Sequence, residues 1–308
     1  MLSLALALAL VATSTPTPAP DPVIAAVGDI VCDPRPHSPL RDFEDAMGDC
    51  DSGKTYALVA GRPLAAILAL GDEQYEDGAL EAFKLGYAKT WGLRKDITHP
   101  VPGNHEYYSG PTADGYFTYF GAAAGVRSKG YYSFNIRGWH VIALNANCNF
   151  AGGCGAGSAQ DKWLRADLAA NRAPCTIAYW HQPRFSSGFH GDDPQYETFW
   201  NDLYAAHADI VLNGHDHDYE RFAPMSPSGE VDRQHGIREF VAGTGGRSHT
   251  FFLKIHATGE ARSPGTFGVL FLTLHARSYD WQFTPIAGYY FSDRGSDVCH
   301  GGIARPTK

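Results

Sequence analysis

Two histidines at i and i+2, His215 and His217, lie in the segment Asn213-Gly214-His215-Asp216-His217, directly after an apolar run at 208–212. Side chains at i and i+2 of an extended chain point the same way, so this pair can aim two imidazoles at one point. Taken alone, such a pair is usually no more than two exposed histidines. Four other stretches repeat the arrangement of an apolar run that ends on a polar residue. Gly28-Asp29 follows the run at 23–27, and Gly71-Asp72-Glu73-Gln74-Tyr75 follows the run at 63–70. Gly103-Asn104-His105-Glu106 closes a less clear run at 96–101, and His181 closes the run at 176–180. Ligand sites in α/β sheets gather beyond the carboxyl ends of strands, and the glycines at 28, 71, 103 and 214 permit the tight turns that aim such residues.

Asp29, Asp72, Asn104, His181, His215 and His217 together offer two carboxylates, one amide carbonyl and three imidazoles. A mixed oxygen and nitrogen set suits iron, zinc or manganese rather than copper(I). Six protein ligands are too many for one catalytic metal that keeps a position open. They suit two ions about 3.5–4 Å apart that share a carboxylate, as in two-metal hydrolysis.

The ordered series Gly28-Asp29, Gly71-Asp72-x-x-Tyr75, Gly103-Asn104-His105-Glu106, His181 and Gly214-His215-x-His217 resembles the calcineurin-like metallophosphoesterases. The tyrosine three residues after the second aspartate is similar to the purple acid phosphatase branch. The resemblance implies an α/β fold, a four-layer α-β-β-α sandwich of two mixed sheets, with a dinuclear metal site at the strand C-terminal ends. It implies that Asp29, Asp72, Tyr75 and His217 hold a first metal, and that Asp72 bridges to a second completed by Asn104, His181 and His215. Most relatives outside the purple branch have a histidine two residues after the first aspartate. Here that residue is Val31, and Tyr75 is available in its place. A phenolate ligand would favour Fe3+ at the Tyr75 site, beside Fe2+, Zn2+ or Mn2+ at the other; the alternative for Tyr75 is an ordinary core aromatic.

The same resemblance makes His105 a contact to the phosphoryl group or an acid for the leaving group; otherwise it is a histidine held near the metals by a carboxylate. Glu106 would orient it or lie on the surface. His190 is a second substrate-binding and acid candidate, or a solvated loop histidine. Arg184 and Arg221 are read as pairing with Asp218 or Glu220 rather than with phosphate. Asp216 and Asp218 would orient neighbours or meet solvent. The run Gly243-Thr244-Gly245-Gly246 would approach the metals or cradle an anion, but it lacks the Lys-Ser/Thr ending of a P-loop.

The activity implied is that of a secreted phosphatase, in which a metal-bound hydroxide attacks a small phosphate monoester. The alternative is a phosphodiesterase acting on nucleotides or phospholipid head groups through the same site. A non-catalytic metal-binding protein is a third reading, against which the complete ligand set argues.

Composition bounds these readings. The chain has 308 residues, 44% of them hydrophobic, and a formal net charge of −8. That suits a large folded core and excludes the basic footprint of a nucleic-acid scaffold. The apolar run at 2–11 is too short to span a bilayer as a helix. With the Pro-rich stretch after it, residues 1–22 read as a signal peptide and linker, and residues 23–308 as one catalytic domain with no membrane span. Six cysteines and no CxxC pair fit an exported disulfide protein better than a thiolate zinc site. Spacing alone leaves their connectivity open. We expect Cys32–Cys50, Cys148–Cys154 and Cys175–Cys299, the second favoured by the glycines between its partners.

Several elements are predicted around these residues. The spacing of Leu80, Phe83, Tyr87 and Trp91 predicts a helix over 80–91. A hairpin joins 131–136 to 139–145 through Arg137-Gly138. Ser158 caps a helix over 159–170, and a further helix covers 196–207. Strands are expected at 237–242, 267–274 and 279–284.

Overall fold

The computed structural model describes residues 19–35 and 50–302. Most of the expected signal segment, residues 1–18, lies outside these. Alternation along the first strand sets the architecture. In β1 (Val23–Val27), Ile24 and Ala26 face one hydrophobic cluster while Ala25 and Val27 face another. A strand buried on both faces must be covered on both.

The first sheet runs β13-β12-β11-β1-β2-β3. One side of it is parallel, with β1 beside β2 (Ala66–Ala69) and β2 beside the edge strand β3 (Thr98–Pro100). Antiparallel β11 (Gly268–Leu274), β12 (Ser278–Pro285) and β13 (Asp293–Val298) extend the other edge. The second sheet runs β10-β8-β9-β7-β6-β5-β4. Here β5 (Trp139–Ala143), β6 (Cys175–Tyr179), β7 (Ile210–Asn213) and β9 (Arg238–Ala242) are parallel. Antiparallel β4 (Tyr132–Ile136), β8 (Tyr219–Phe222) and β10 (Gly259–Ser263) complete it.

Leu68, Leu70 and Leu272 from the first sheet meet Val141, Ile177, Leu212 and Phe240 from the second in one fully buried core. Each such aliphatic or aromatic side chain contributes roughly 1.5–3 kcal/mol of burial. Helices α2 (Leu80–Leu85) and α3 (Asp114–Phe120) cover the outer face of the first sheet, and α4 (Ala159–Ala170) and α5 (Glu197–Ala205) that of the second. The result is the expected α-β-β-α sandwich of two mixed sheets. A short α1 (Ser52–Ala57) follows the disulfide at Cys50.

The cap expected on α4 is present: Asp161 N donates to Ser158 Oγ at 3.1 Å, and Gly157 N donates back to Asp161 Oδ2. The helix expected over 80–91 stops at Leu85. Gly86 packs so closely on Gln74 that a Cβ there would lie 2.5 Å from Oε1, and that same oxygen accepts Tyr87 N. The chain continues as 3-10 turns at Tyr87–Lys89 and Trp91–Ile97. Strands β8, β10 and β13 were not among the expected elements.

All three expected disulfides form: Cys32–Cys50, Cys148–Cys154 and Cys175–Cys299. The last joins the start of β6 in one sheet to the residue after β13 in the other, across 124 residues of sequence. Closing so long a loop restricts the unfolded chain, an effect of about 4–5 kcal/mol. Replacing both cysteines by serine is expected to lower unfolding stability by about that amount in denaturant titrations. A loss below about 1 kcal/mol would contradict this entropic account.

Candidate metal centre

The parallel strands β1, β2 and β3, and β6 and β7, all end at one edge of the sandwich, and there the polar residues predicted from sequence converge. The backbone turns sharply at these ends. Asp29, Asp72 and His215 have φ of 60°, 49° and 72°, a left-handed conformation that costs a non-glycine residue roughly 1–2 kcal/mol. It swings each side chain out of the strand direction and into the cleft between sheets. Two neighbouring glycines are required by close approach. A Cβ on Gly103 would fall 2.1 Å from Asp72 Oδ1, and one on Gly214 would fall 2.6 Å from Asp29 Oδ2.

Each carboxylate is held through one oxygen and presents the other. Asp29 Oδ2 accepts His215 N at 2.8 Å, which leaves Oδ1 facing Tyr75 Oη (2.8 Å) and His217 Nε2 (3.2 Å). Tyr75 Oη is also 3.0 Å from His217 Nε2. Asp72 Oδ1 accepts His105 N at 2.9 Å. Its Oδ2 lies 3.2 Å from Tyr75 Oη on one side and 3.1 Å from His181 Nε2 on the other. One oxygen of Asp72 therefore belongs to two donor groups, Asp29–Tyr75–His217 and His181–His215. Ligand atoms of Asp72, His181 and His215 all lie within 4.8 Å of one another.

The imidazoles are oriented from behind. His181 Nδ1 lies 2.8 Å from the Leu70 carbonyl, which fixes Nδ1–H and turns Nε2 to the cleft; His217 Nδ1 is 2.9 Å from Ser248 Oγ. Such outer hydrogen bonds set the tautomer of a metal-binding histidine. Asn104 Oδ1 is a buried acceptor with no hydrogen bond to the protein, while Asn104 Nδ2 donates to Tyr108 Oη; buried His181 Nε2 faces only the Asp72 carboxylate, at 3.1 Å. Buried polar groups without partners are rare, and a cation here would satisfy Asn104 Oδ1. The donor set fits a pair of metal ions.

Electrostatics within the protein's own groups point the same way. Burial would raise the Asp72 carboxyl, but the His181 and His105 charges outweigh it and hold it well below the usual range. Burial opposes protonation of His181, yet Asp72 and Asp29 more than offset it and push the imidazole up to about 9. His215 is driven down to about 3 by burial and by the neighbouring His181 and His190. Tyr75 is held well above its ordinary value by burial, then by Asp29 and Asp72. Protons here perform the neutralisation that cations would perform.

The two acid candidates flank these donors. The His105 ring lies 4.2 Å from that of Tyr75 and 4.5 Å from that of Tyr108; its Nδ1 is 2.5 Å from the Glu76 carbonyl and its Nε2 3.9 Å from Asp72 Oδ2. His190 stacks on His215 with ring centroids 3.9 Å apart, and its Nδ1 is 2.9 Å from Asp216 Oδ1.

Other residues differ from expectation. Glu106 neither orients the His105 ring nor lies on the surface; it is fully buried and accepts the N–H groups of Gly103, Asp72 and Gln74. Burial, then Asp72, raises its carboxyl to about 8. Arg221 pairs with Glu260 and Asp293 rather than Asp218 or Glu220, and Arg184 lies over the Phe185 ring. Asp218 is buried instead of solvated. The glycine run packs directly on Asp29: a Cβ on Gly243 would lie 2.8 Å from Asp29 Oδ2.

That run leads to two residues sequence reasoning missed. Ser248 orients His217 as described, and Arg247 sits over the Tyr75 ring at 4.9 Å while bonding Glu76. The glycines were the available signal.

The Calcineurin-like phosphoesterase family matches residues 22–219. The chain belongs to that family. It is 33% identical to purple acid phosphatase 15 of Arabidopsis thaliana over 149 residues, 42% of this chain and 27% of that protein. It is also 33% identical to purple acid phosphatase 23 of the same plant over 194 residues, 57% of this chain and 40% of that protein. The chain thus spans well under half the length of these relatives. Among solved structures, yellow lupin (Lupinus luteus) purple acid phosphatase PPD1 superposes with a TM-score of 0.71 at 17% identity, covering 90% of this chain and 53% of the other. PhoD superposes with a TM-score of 0.64 at 12% identity, covering 92% and 71%. Both share the fold.

A metal takes only neutral imidazole, so binding at pH 7 must expel the proton that His181 carries below about 9. Calorimetric metal titrations in buffers of different ionisation enthalpy are expected to show proton release falling by about one per chain between pH 7 and pH 10. A pH-independent release would contradict the His181 assignment.

Proposed function

We propose that the protein is an exported phosphatase, with residues 1–22 as signal peptide and Pro-rich linker and 23–308 as its catalytic domain, that hydrolyses small phosphate monoesters at a two-metal centre. The observation that carries this reading is Asp72 Oδ2, set between Tyr75 Oη and His181 Nε2 at 3.2 and 3.1 Å. Asp29, Asp72, Tyr75 and His217 would hold one cation, and Asp72, Asn104, His181 and His215 the other. Two such cations would polarise the phosphoryl oxygens, offset developing charge and lower the pKa of a bound water from about 15.7 to roughly 7. A phenolate at Tyr75, whose oxygen lies 2.8 Å from Asp29 Oδ1 and 3.2 Å from Asp72 Oδ2, would favour Fe3+ there. Fe2+, Zn2+ or Mn2+ suits the remaining donors.

The protein's own groups handle protons and position. His105 donates Nδ1–H to the Glu76 carbonyl, which leaves Nε2 toward the cleft as the atom that gives a proton to the departing alkoxide. His190, held by Asp216 through its backbone N–H and Nδ1, is a second contact for the phosphoryl oxygens or the leaving group. Three disulfides agree with an oxidising compartment. No helix among the described residues is long and apolar enough to cross a membrane.

Phenyl phosphate is expected to be hydrolysed at least about tenfold faster than diphenyl phosphate, and faster turnover of the diester would overturn the monoester assignment. His105→Ala is expected to slow ethyl phosphate by about a hundredfold, the lower range for a lost general acid, and phenyl phosphate far less. Equal losses on both would remove His105 as the acid.

A further inference from the structure

The segment after the glycine run is tied across the donor-bearing loops by its backbone. Arg247 N donates to Asp29 O, Thr250 N to His217 O, Leu253 N to Ser187 O and His256 N to Ser187 Oγ. Pinned in this way, it presents Phe251, Leu253 and Ile255 outward at alternate positions, 60%, 63% and 47% exposed. Phe189, 48% exposed, joins them through an edge contact with Phe251 at 5.5 Å. Phe189 in turn lies 5.3 Å from the His190 ring, which stacks on His215. Phe189 and Phe251, with Leu253 and Ile255 exposed further along the same segment, thus make an apolar shelf whose rings run through His190 to the metal centre. On the other flank, exposed Tyr108 packs on His105 and binds Asn104.

Single exposed apolar residues are ordinary, but a gathered patch marks a binding surface. We propose that this shelf binds the leaving group of the substrate and selects phosphoesters whose alcohol carries an aromatic ring. The inference rests on the hydrolase reading above. The occupant follows from continuity: Phe251 meets Phe189, Phe189 meets His190, and His190, read above as a second contact for the phosphoryl oxygens or the leaving group, stacks on His215. Rings prefer the edge-to-face and offset contacts that such a pair offers. Phe251 and Leu253 contribute nothing to the donor set, so the shelf discriminates between alcohols without altering the phosphoryl site.

The test compares ethyl phosphate with 2-phenylethyl phosphate, both esters of unactivated primary alcohols. The full protein is expected to show kcat/KM about tenfold higher for the phenylethyl ester, the lower range for apolar discrimination. Phe251→Ser and Leu253→Ser should each reduce that ratio toward one while kcat/KM for ethyl phosphate stays within about twofold. Equal values for the two esters in the unaltered protein, or a ratio kept in both variants, would overturn the proposal. Variants that change the sedimenting mass without changing the ratio would also overturn it and assign the patch to self-association. Binding of 2-phenylethylphosphonate and ethylphosphonate, measured by calorimetry, separates the two readings. Tighter binding of the phenylethyl compound without any turnover supports the shelf and overturns the hydrolase; turnover with equal affinities does the reverse.

Discussion

The structure depends on one carboxylate. Asp72 is almost fully buried, spends Oδ1 on the His105 backbone N–H and leaves Oδ2 to two donor groups at once. A charge so placed is tolerated only if opposite charge surrounds it. His181 and His105 supply it, and the surrounding hydrogen bonds hold the loops in place. Glu106 accepts the N–H groups of Asp72 and Gly103 together, which ties the loop after β2 to the loop after β3. His181 reaches Asp72 from the second sheet while anchored to the Leu70 carbonyl of the first.

The two-sheet architecture follows from the same demand. Donors that must converge from β1, β2 and β3 and from β6 and β7 need parallel strands whose ends coincide, and each sheet keeps its parallel strands adjacent, at one side of the first sheet and in the centre of the second. Antiparallel strands then extend the edges. Left-handed backbone at Asp29, Asp72 and His215 is a local cost accepted at the site, as is common where geometry matters more than stability.

Much of this could be read from sequence because strand ends announce themselves. The runs before Asp29, Asp72, His181 and His215 are apolar on both faces, so the change to a polar residue is sharp. The Ser158 cap was legible because capping is local. What stayed hidden depended on distant contacts or on exposure. The break after Leu85 comes from Gln74, on another loop. The β10 and β13 strands lie at sheet edges, where charged residues guard against further pairing and erase the apolar signal. Strand β8 is short, and its Glu220 is polar yet buried, turned inward to accept Ser187 N. Arg247 and Ser248 follow no apolar run, and only the fold brings them to Tyr75 and His217.

The most direct test of the shared-carboxylate centre is metal content by mass spectrometry together with the visible spectrum, on the unaltered protein and on Asp72→Ala and Tyr75→Phe. The account predicts about two metals per chain, one of them iron, with a broad visible band that Tyr75→Phe removes. It predicts that Asp72→Ala weakens both metals together, since both draw on one oxygen. A protein that takes up no metal on reconstitution, or one in which Asp72→Ala leaves either metal bound as before, would contradict it.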